Sequence, residues 1–152
     1  MFDLQGEFDH VRRALSGAQI DYALCGGLAV GVHGFPRATV DIDLLIQPED
    51  ELRVYDVVGP LGFVVRAHPM DFDGGATRIR RVSKVDPGDG EVLMLDLLLV
   101  TPAIQGVWDT RQRFQWLGSA LSVVSREGLI DLKKSRLSAI DLADIERLQA
   151  PE

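Results

Sequence analysis

The stretch Thr39-Val40-Asp41-Ile42-Asp43-Leu44-Leu45-Ile46 sets two carboxylates two residues apart inside an apolar run. In an extended strand such residues leave the same face, so Asp41 and Asp43 stand side by side while Val40, Ile42 and Leu44 point into a core. Two carboxylates on one face attract a cation. Further on, Val92-Leu93-Met94-Leu95-Asp96-Leu97-Leu98-Leu99-Val100 contains a single polar residue, Asp96. An ionised carboxylate there is costly unless a partner charge meets it. Two partners are open to it, a buried arginine or, the reading these residues favour, a divalent metal. Upstream lies a glycine pair, Cys25-Gly26-Gly27.

At 152 residues the chain fits one domain, 1–152, with a core over about 20–100 and a C-terminal hairpin and helices over about 110–148. Its 46% hydrophobic and 26% charged residues suit a globular fold, without repeats or low-complexity stretches. The net charge of -7 opposes broad electrostatic binding to nucleic acid, though a local basic patch can still serve an acidic partner. Cys25 is the single cysteine and can form no internal disulfide, which suggests a reducing compartment. The N-terminal Met1-Phe2-Asp3-Leu4-Gln5-Gly6-Glu7 is acidic and lacks a signal-peptide core. No run approaches the roughly 18 apolar residues of a membrane span, so the expectation is a cytoplasmic protein with no membrane partner.

Phe8, Val11, Ala14 and Leu15 recur at helical spacing, predicting a surface helix from Phe2 to about Ser16. Ile20–Leu24 reads as a short buried strand, Gly26-Gly27 as a turn, and Leu28–His33 as a helix stopped by Gly34. Val40–Ile46 is the second strand, and Pro48 with Glu49, Asp50 and Glu51 opens a helix that closes by Gly59-Pro60. Phe63–Ala67 and Thr77–Val85 read as strands separated by a loop over Pro69–Gly75. The turn Asp86-Pro87-Gly88-Asp89-Gly90 makes Val92–Val100 an antiparallel partner of Thr77–Val85. Arg113–Leu117 and Ala120–Val124 form a hairpin around Gly118, Ser125 caps a helix from Arg126, and a last helix covers about Ala139–Leu148. The sum is α+β, a mixed β-sheet flanked by helices with a C-terminal helical segment.

Nucleotidyl transfer requires in-line attack on the α-phosphorus of a nucleoside triphosphate, where crowded negative charge repels the nucleophile. Two metal ions about 3.5 to 4 Å apart overcome this, and they require carboxylates on a rigid platform such as adjacent strands. A two-glycine turn before a helix lets backbone approach phosphate closely. Gly26 and Gly27, then Asp41 and Asp43, then Asp96 follow in that order. In this the chain resembles the nucleotidyltransferase superfamily of the DNA polymerase β type. Gly26-Gly27-Leu28-Ala29 through Gly34-Phe35-Pro36-Arg37-Ala38-Thr39-Val40-Asp41-Ile42-Asp43 is similar to a small bacterial branch that includes abortive-infection (AbiEii-type) toxin nucleotidyltransferases. Leu129-Ile130-Asp131-Leu132-Lys133 and Asp141-Leu142-Ala143-Asp144-Ile145 resemble that branch's lysine helix and closing Asp-x-x-Asp helix, so the likeness spans about residues 20–148.

The resemblance implies that Asp41, Asp43 and Asp96 are catalytic and bind Mg2+ or Mn2+, with Asp96 also acting on the acceptor hydroxyl. It implies that Gly26, Gly27, Arg37, Thr39 and Lys133 bind the nucleotide. Ser138 and Ile140 stand where relatives carry arginine and lysine, and Asp141 and Asp144 can instead serve packing and ion pairs. The implied activity is metal-dependent transfer of a nucleoside monophosphate from a nucleoside triphosphate to a hydroxyl acceptor, which is an RNA end, a protein side chain or a small molecule such as an antibiotic. A homodimer or a companion antitoxin chain would complete the cleft of so short a chain. The competing reading is a catalytically silent module that regulates a partner protein.

Other features have plainer readings. Arg78, Arg80 and Lys84 share one strand face, with Arg81 on the other, and either steer a phosphate-bearing substrate or form a charge-balanced edge. His10, His33 and His68 lack metal-ligand spacing, and Trp108 and Trp116 read as packing. If three carboxylates crowd one another, Asp96→Asn is expected to be tolerated, or even stabilising, without metal.

Overall fold

The computed structural model describes residues 1–134 and 139–150, with the side chains of 139–141 outside the description. Ser138 and the side chains of Ile140 and Asp141 therefore lie outside the described residues. Phe8, Val11 and Leu15 form the buried stripe of the first helix, α1 (Leu4–Gly17). There follow β1 (Ala23–Cys25), α2 (Gly26–Val32), β2 (Ile42–Ile46), a 3-10 turn (Pro48–Asp50) and α3 (Glu51–Val58). The middle of the chain forms β3 (Val65–Arg66), β4 (Met70–Phe72), β5 (Thr77–Val85) and β6 (Val92–Leu99). It closes with α4 (Gln105–Asp109), β7 (Gln112–Trp116), β8 (Ser119–Val123), α5 (Arg126–Lys134) and α6 (Ala139–Gln149). The α+β reading holds.

Among the described residues one sheet runs in the order β3-β5-β6-β2-β1-β8-β7, with β4 also paired to β5. β6 is parallel to β2 on one side and antiparallel to β5 on the other, while β1 is antiparallel to β2 and parallel to β8. Leu44, Leu45 and Ile46 are successive and fully buried, so both faces of that part of β2 are covered. β6 alternates instead, with Leu93, Leu95, Leu97 and Leu99 buried and Met94, Asp96 and Leu98 half-buried. Asp96 thus lies on the more open face of a strand whose other face is core.

The structure differs from the sequence expectation in several places: β1 covers Ala23–Cys25 rather than Ile20–Leu24, and β3 only Val65–Arg66 of the expected Phe63–Ala67. β2 begins at Ile42, and Val40 is 74% exposed rather than a core residue, because the chain enters the sheet only after Asp41. α2 begins at Gly26, so the glycine pair forms the first turn of the helix and does not precede it. Met70–Phe72, read as loop, pairs antiparallel with β5 through Met70↔Ile79, Asp71↔Arg78 and Phe72↔Thr77. Its polar, glycine-rich surroundings hide an edge strand that exists only because a neighbouring strand offers its backbone. α4 is too short for periodicity to reveal, and is anchored by the buried Val107 and Trp108.

The other local signals act as their chemistry requires. The Asp86–Gly90 turn closes with Asp86 N–H on the Glu91 carbonyl at 2.8 Å and Gly88 N–H on Asp86 Oδ1 at 2.7 Å. Ser125 caps α5 by accepting the Gly128 N–H at 3.0 Å. Among the described residues no helix is long and apolar enough to cross a membrane.

Candidate active site

Strand register assembles a lateral row. Cys25 opposes Asp43 between β1 and β2, Asp43 opposes Asp96 between β2 and β6, and Asp96 opposes Arg81 between β6 and β5. Directly paired residues in a sheet share a face, so carboxylates far apart in sequence become neighbours. Gly26 completes the row at the β1 end. Its φ is +67°, a left-handed conformation that suits glycine, and a Cβ there would collide with the Asp43 carboxylate. Gly27 is crowded too, since a Cβ on it would come within 2.7 Å of Thr39 Oγ1 and 3.0 Å of Arg37 Nη1. The glycine pair therefore touches Asp43 on one side and Thr39 and Arg37 on the other.

The sequence expectation underweighted the residue opposite Asp96. Arg81 Nε donates to Asp96 Oδ1 at 2.7 Å and Arg81 Nη2 donates to Oδ2 at 2.9 Å, a bidentate ion pair that engages both carboxylate oxygens. The guanidinium pKa is raised, first by this hydrogen bonding, with partial burial opposing, and then by the charges of Asp96, Asp41 and Asp43. For Asp96→Asn the pair sets the loss of a formed ion pair against the relief of repulsion among the carboxylates. Among the described residues no three carboxylate, imidazole or thiolate side chains converge closely enough to hold a metal ion.

A second cluster ties the C-terminal helix to the glycine turn. Arg37 Nε and Nη2 donate to Asp144 Oδ1 and Oδ2 at 2.9 and 2.8 Å, and Lys133 Nζ lies 3.0 Å from Asp144 Oδ2. The Asp144 side chain is 1% exposed and that of Lys133 4% exposed. Burial pushes the Asp144 carboxyl up, but hydrogen bonds from Arg37 and Lys133 with their charges outweigh it, and the net pKa is lowered. Arg37 and Lys133 thus meet at one carboxylate, the ion-pair role left open for Asp144.

Arg78, Arg80 and Lys84 are engaged by carboxylates other than Asp96, which Arg81 opposes. Arg80 bonds Asp71 at 2.8 Å and lies 3.7 Å from Glu51, Arg78 is 3.6 Å from Asp71, and Lys84 bonds Glu7 at 2.9 Å. β5 is interior to the sheet, so the edge reading does not describe it. His33 Nε2 lies 2.8 Å from the Val124 carbonyl, and its ring meets Phe114 edge-on at 5.4 Å. Clefts of about 490 Å³ beside Tyr22 and Arg113, and about 420 Å³ beside His33 and Phe114, include neither Asp41, Asp43 and Asp96 nor the glycine pair.

No protein-family model matches this chain, and no curated protein does. Solved structures do. The solution structure of the antibiotic-resistance factor ANT(2'')-Ia matches with a TM-score of 0.61 at 20% identity, over 94% of this chain and 80% of that one. The crystal structure of ANT(2'')-Ia with adenylyl-2''-tobramycin gives 0.60 at 19% identity, over 93% and 84% of the two chains. A candidate nucleotidyltransferase of Thermotoga maritima gives 0.58 at 13% identity, over 92% and 88%. At these identities the likeness is one of fold, and the fold of this chain is that of the nucleotidyltransferases.

Proposed function

We propose that the chain is a metal-dependent nucleotidyltransferase that moves a nucleoside monophosphate from a nucleoside triphosphate to a hydroxyl acceptor. The bond from the acceptor oxygen to the α-phosphorus forms, the bond to the β-phosphate oxygen breaks, pyrophosphate leaves, and the hydroxyl proton passes to Asp96. The observation that carries this reading is the row Cys25, Asp43, Asp96 across β1, β2 and β6, with Gly26 at the start of α2 set against the Asp43 carboxylate, in a sheet of nucleotidyltransferase-like fold.

Asp41, Asp43 and Asp96 offer hard oxygen donors, which suit Mg2+ or Mn2+. The absent Cβ of Gly26 leaves the Asp43 carboxylate room beside the backbone. The donor chemistry suits a divalent ion, on two conditions: Arg81 yields the Asp96 oxygens it occupies, and the aspartates, which do not converge on one point in the metal-free chain, close around the ion. When bound, the metal supplies activation of the attacking oxygen and charge for the leaving pyrophosphate. Gly26 and Gly27 give the triphosphate close backbone contact, Arg37 and Thr39 line the same turn, and Lys133 acts as a point charge held by Asp144.

A small hydroxyl-bearing acceptor is the reading best supported. The net charge of -7 favours a cationic small molecule over a long RNA, whose affinity would rest on phosphate neutralisation. The likeness to ANT(2'')-Ia, one structure of which holds adenylyl-2''-tobramycin, supports the same choice. An RNA end or a protein side chain, the acceptors suggested by the AbiEii-type resemblance, and a silent regulatory module are the competing outcomes.

The test is incubation with each of the four α-labelled ribonucleoside triphosphates, Mg2+, and aminoglycosides, total RNA or whole-cell protein in separate reactions, beside Asp43→Ala. Label on a small molecule with the wild type alone is the expected result. Label on RNA or protein would replace the acceptor class, and equal biological effect from Asp43→Ala would sink the enzymatic reading.

A further inference from the structure

Arg81 is unexplained by the transfer chemistry. It lies on β5, outside the strands that contribute Asp43 and Asp96, yet the register sets it directly opposite Asp96. Its planar fork meets both oxygens of that carboxylate, at 2.7 and 2.9 Å. Those are the atoms a divalent ion at Asp96 would need. Its side chain is 35% exposed against 14% for Asp96, so the guanidinium has an open side into which to withdraw. Arg78, Arg80 and Lys84, the other cations of the same strand, are engaged by Glu7, Glu51 and Asp71 and do not substitute for it.

We infer that Arg81 is a positioning residue that holds Asp96 in place of the metal, so that cation entry and release of Arg81 from Asp96 are one linked event. The inference rests on the metal-dependent reading above and concerns the same site. In the metal-free protein Arg81 offsets one of the three carboxylate charges and fixes the Asp96 rotamer by two charge-assisted hydrogen bonds. A divalent ion competes for the same lone pairs, and the affinity observed is what remains after the arginine has been displaced. The arrangement lowers affinity for a lone metal. It thereby favours binding under conditions where more groups join the site, as when a metal arrives with its triphosphate. Arginine suits this because its fork matches the carboxylate, whereas lysine offers the same charge as a single point.

The experiment compares wild type, Arg81→Lys and Arg81→Gln by Mn2+ binding in electron paramagnetic resonance titrations, with circular dichroism as the check on folding. Arg81→Gln should bind Mn2+ about tenfold or more tightly than wild type, the size expected when a charged hydrogen-bond partner is removed from competition. Arg81→Lys should fall between, since the charge stays and the bidentate grip is lost. In the wild type, the Arg81 Nε–H cross-peak, assigned by its loss in Arg81→Lys, should move on addition of Mg2+.

Each alternative result has a distinct reading. Equal Mn2+ affinity in all three proteins, or an Nε–H peak unmoved by Mg2+ at saturation, overturns the linkage and leaves the transfer reading to its own assay. Weaker binding in folded Arg81→Gln makes Arg81 a structural support only. Arg81→Lys equal to wild type, with Arg81→Gln tighter, reduces the effect to net charge and also overturns the proposal. No Mn2+ uptake by any of the three overturns it together with the metal dependence of the transfer reading.

Discussion

Gly26 shows how one residue's missing side chain shapes the site. Its φ of +67° costs a substituted residue about 1–2 kcal/mol, and the added Cβ would fall on the Asp43 carboxylate. Gly26→Ala is therefore expected to lower stability by at least about 1–2 kcal/mol in urea unfolding and to displace Asp43, abolishing label transfer. The glycine pair was legible in the sequence as a break in the chain, although it forms the first turn of α2 rather than a turn before it. Its reason for being glycine was not, since the atoms it must avoid belong to Asp43 and Thr39, which reach it only in the folded sheet. Arg81 is the opposite case. The Asp86–Gly90 turn closes a hairpin in which Val85 pairs with Val92, and counting inward along both strands brings Arg81 opposite Asp96. The period of two sets the face and the length of the turn sets the register, although the sequence reading left Asp96 between a metal and an unnamed arginine.

The elements show the same division. Alternation correctly separates Asp43 from Ile42 and Leu44 but overextends β2 by including Val40, since periodicity says which face a residue takes and not where pairing begins. The difference is measurable. Ile42→Ala, at a fully buried position, is expected to cost about 2–5 kcal/mol, and Val40→Ala, at a 74% exposed one, no more than about 0.5 kcal/mol. Equal losses for the two in chemical unfolding would restore Val40 to the core. β4 and α4 escape sequence reading for a related reason. Three residues of strand and five of helix are too short to show a period, and each is stabilised by what it docks against.

For the molecule as a whole, the buried contact of Asp144 with Arg37 and Lys133 joins α6 to α5 and to the segment that lines the glycine turn. It carries a pH dependence whose sign follows from the lowered carboxyl pKa. Burial, which raises it, is outweighed by the hydrogen bonds and charges of Arg37 and Lys133, so the native state releases the Asp144 proton more readily than the unfolded chain. The stabilisation is complete above the ordinary carboxylate value of 3.8 and is lost as pH falls through the lower native one. Thermal melting between about pH 5 and pH 2 should thus show a steeper loss in wild type than in Asp144→Asn, which has no such proton to bind. Parallel slopes would mean that the contact contributes nothing to acid stability.

The sequence by itself determined the α+β class, the order of most elements, the position of the glycine pair and the hairpin of β5 with β6. These follow from local backbone preference and from periodicity, which act between near neighbours. Only the tertiary structure decided that β2 lies parallel to β6, bringing Asp43 beside Asp96, and that Asp144 receives Arg37 from 107 residues away. Parallel pairing has no connecting turn to set its register, and a buried ion pair between distant segments leaves no periodic trace. Both are chosen by the packing of the whole core around them.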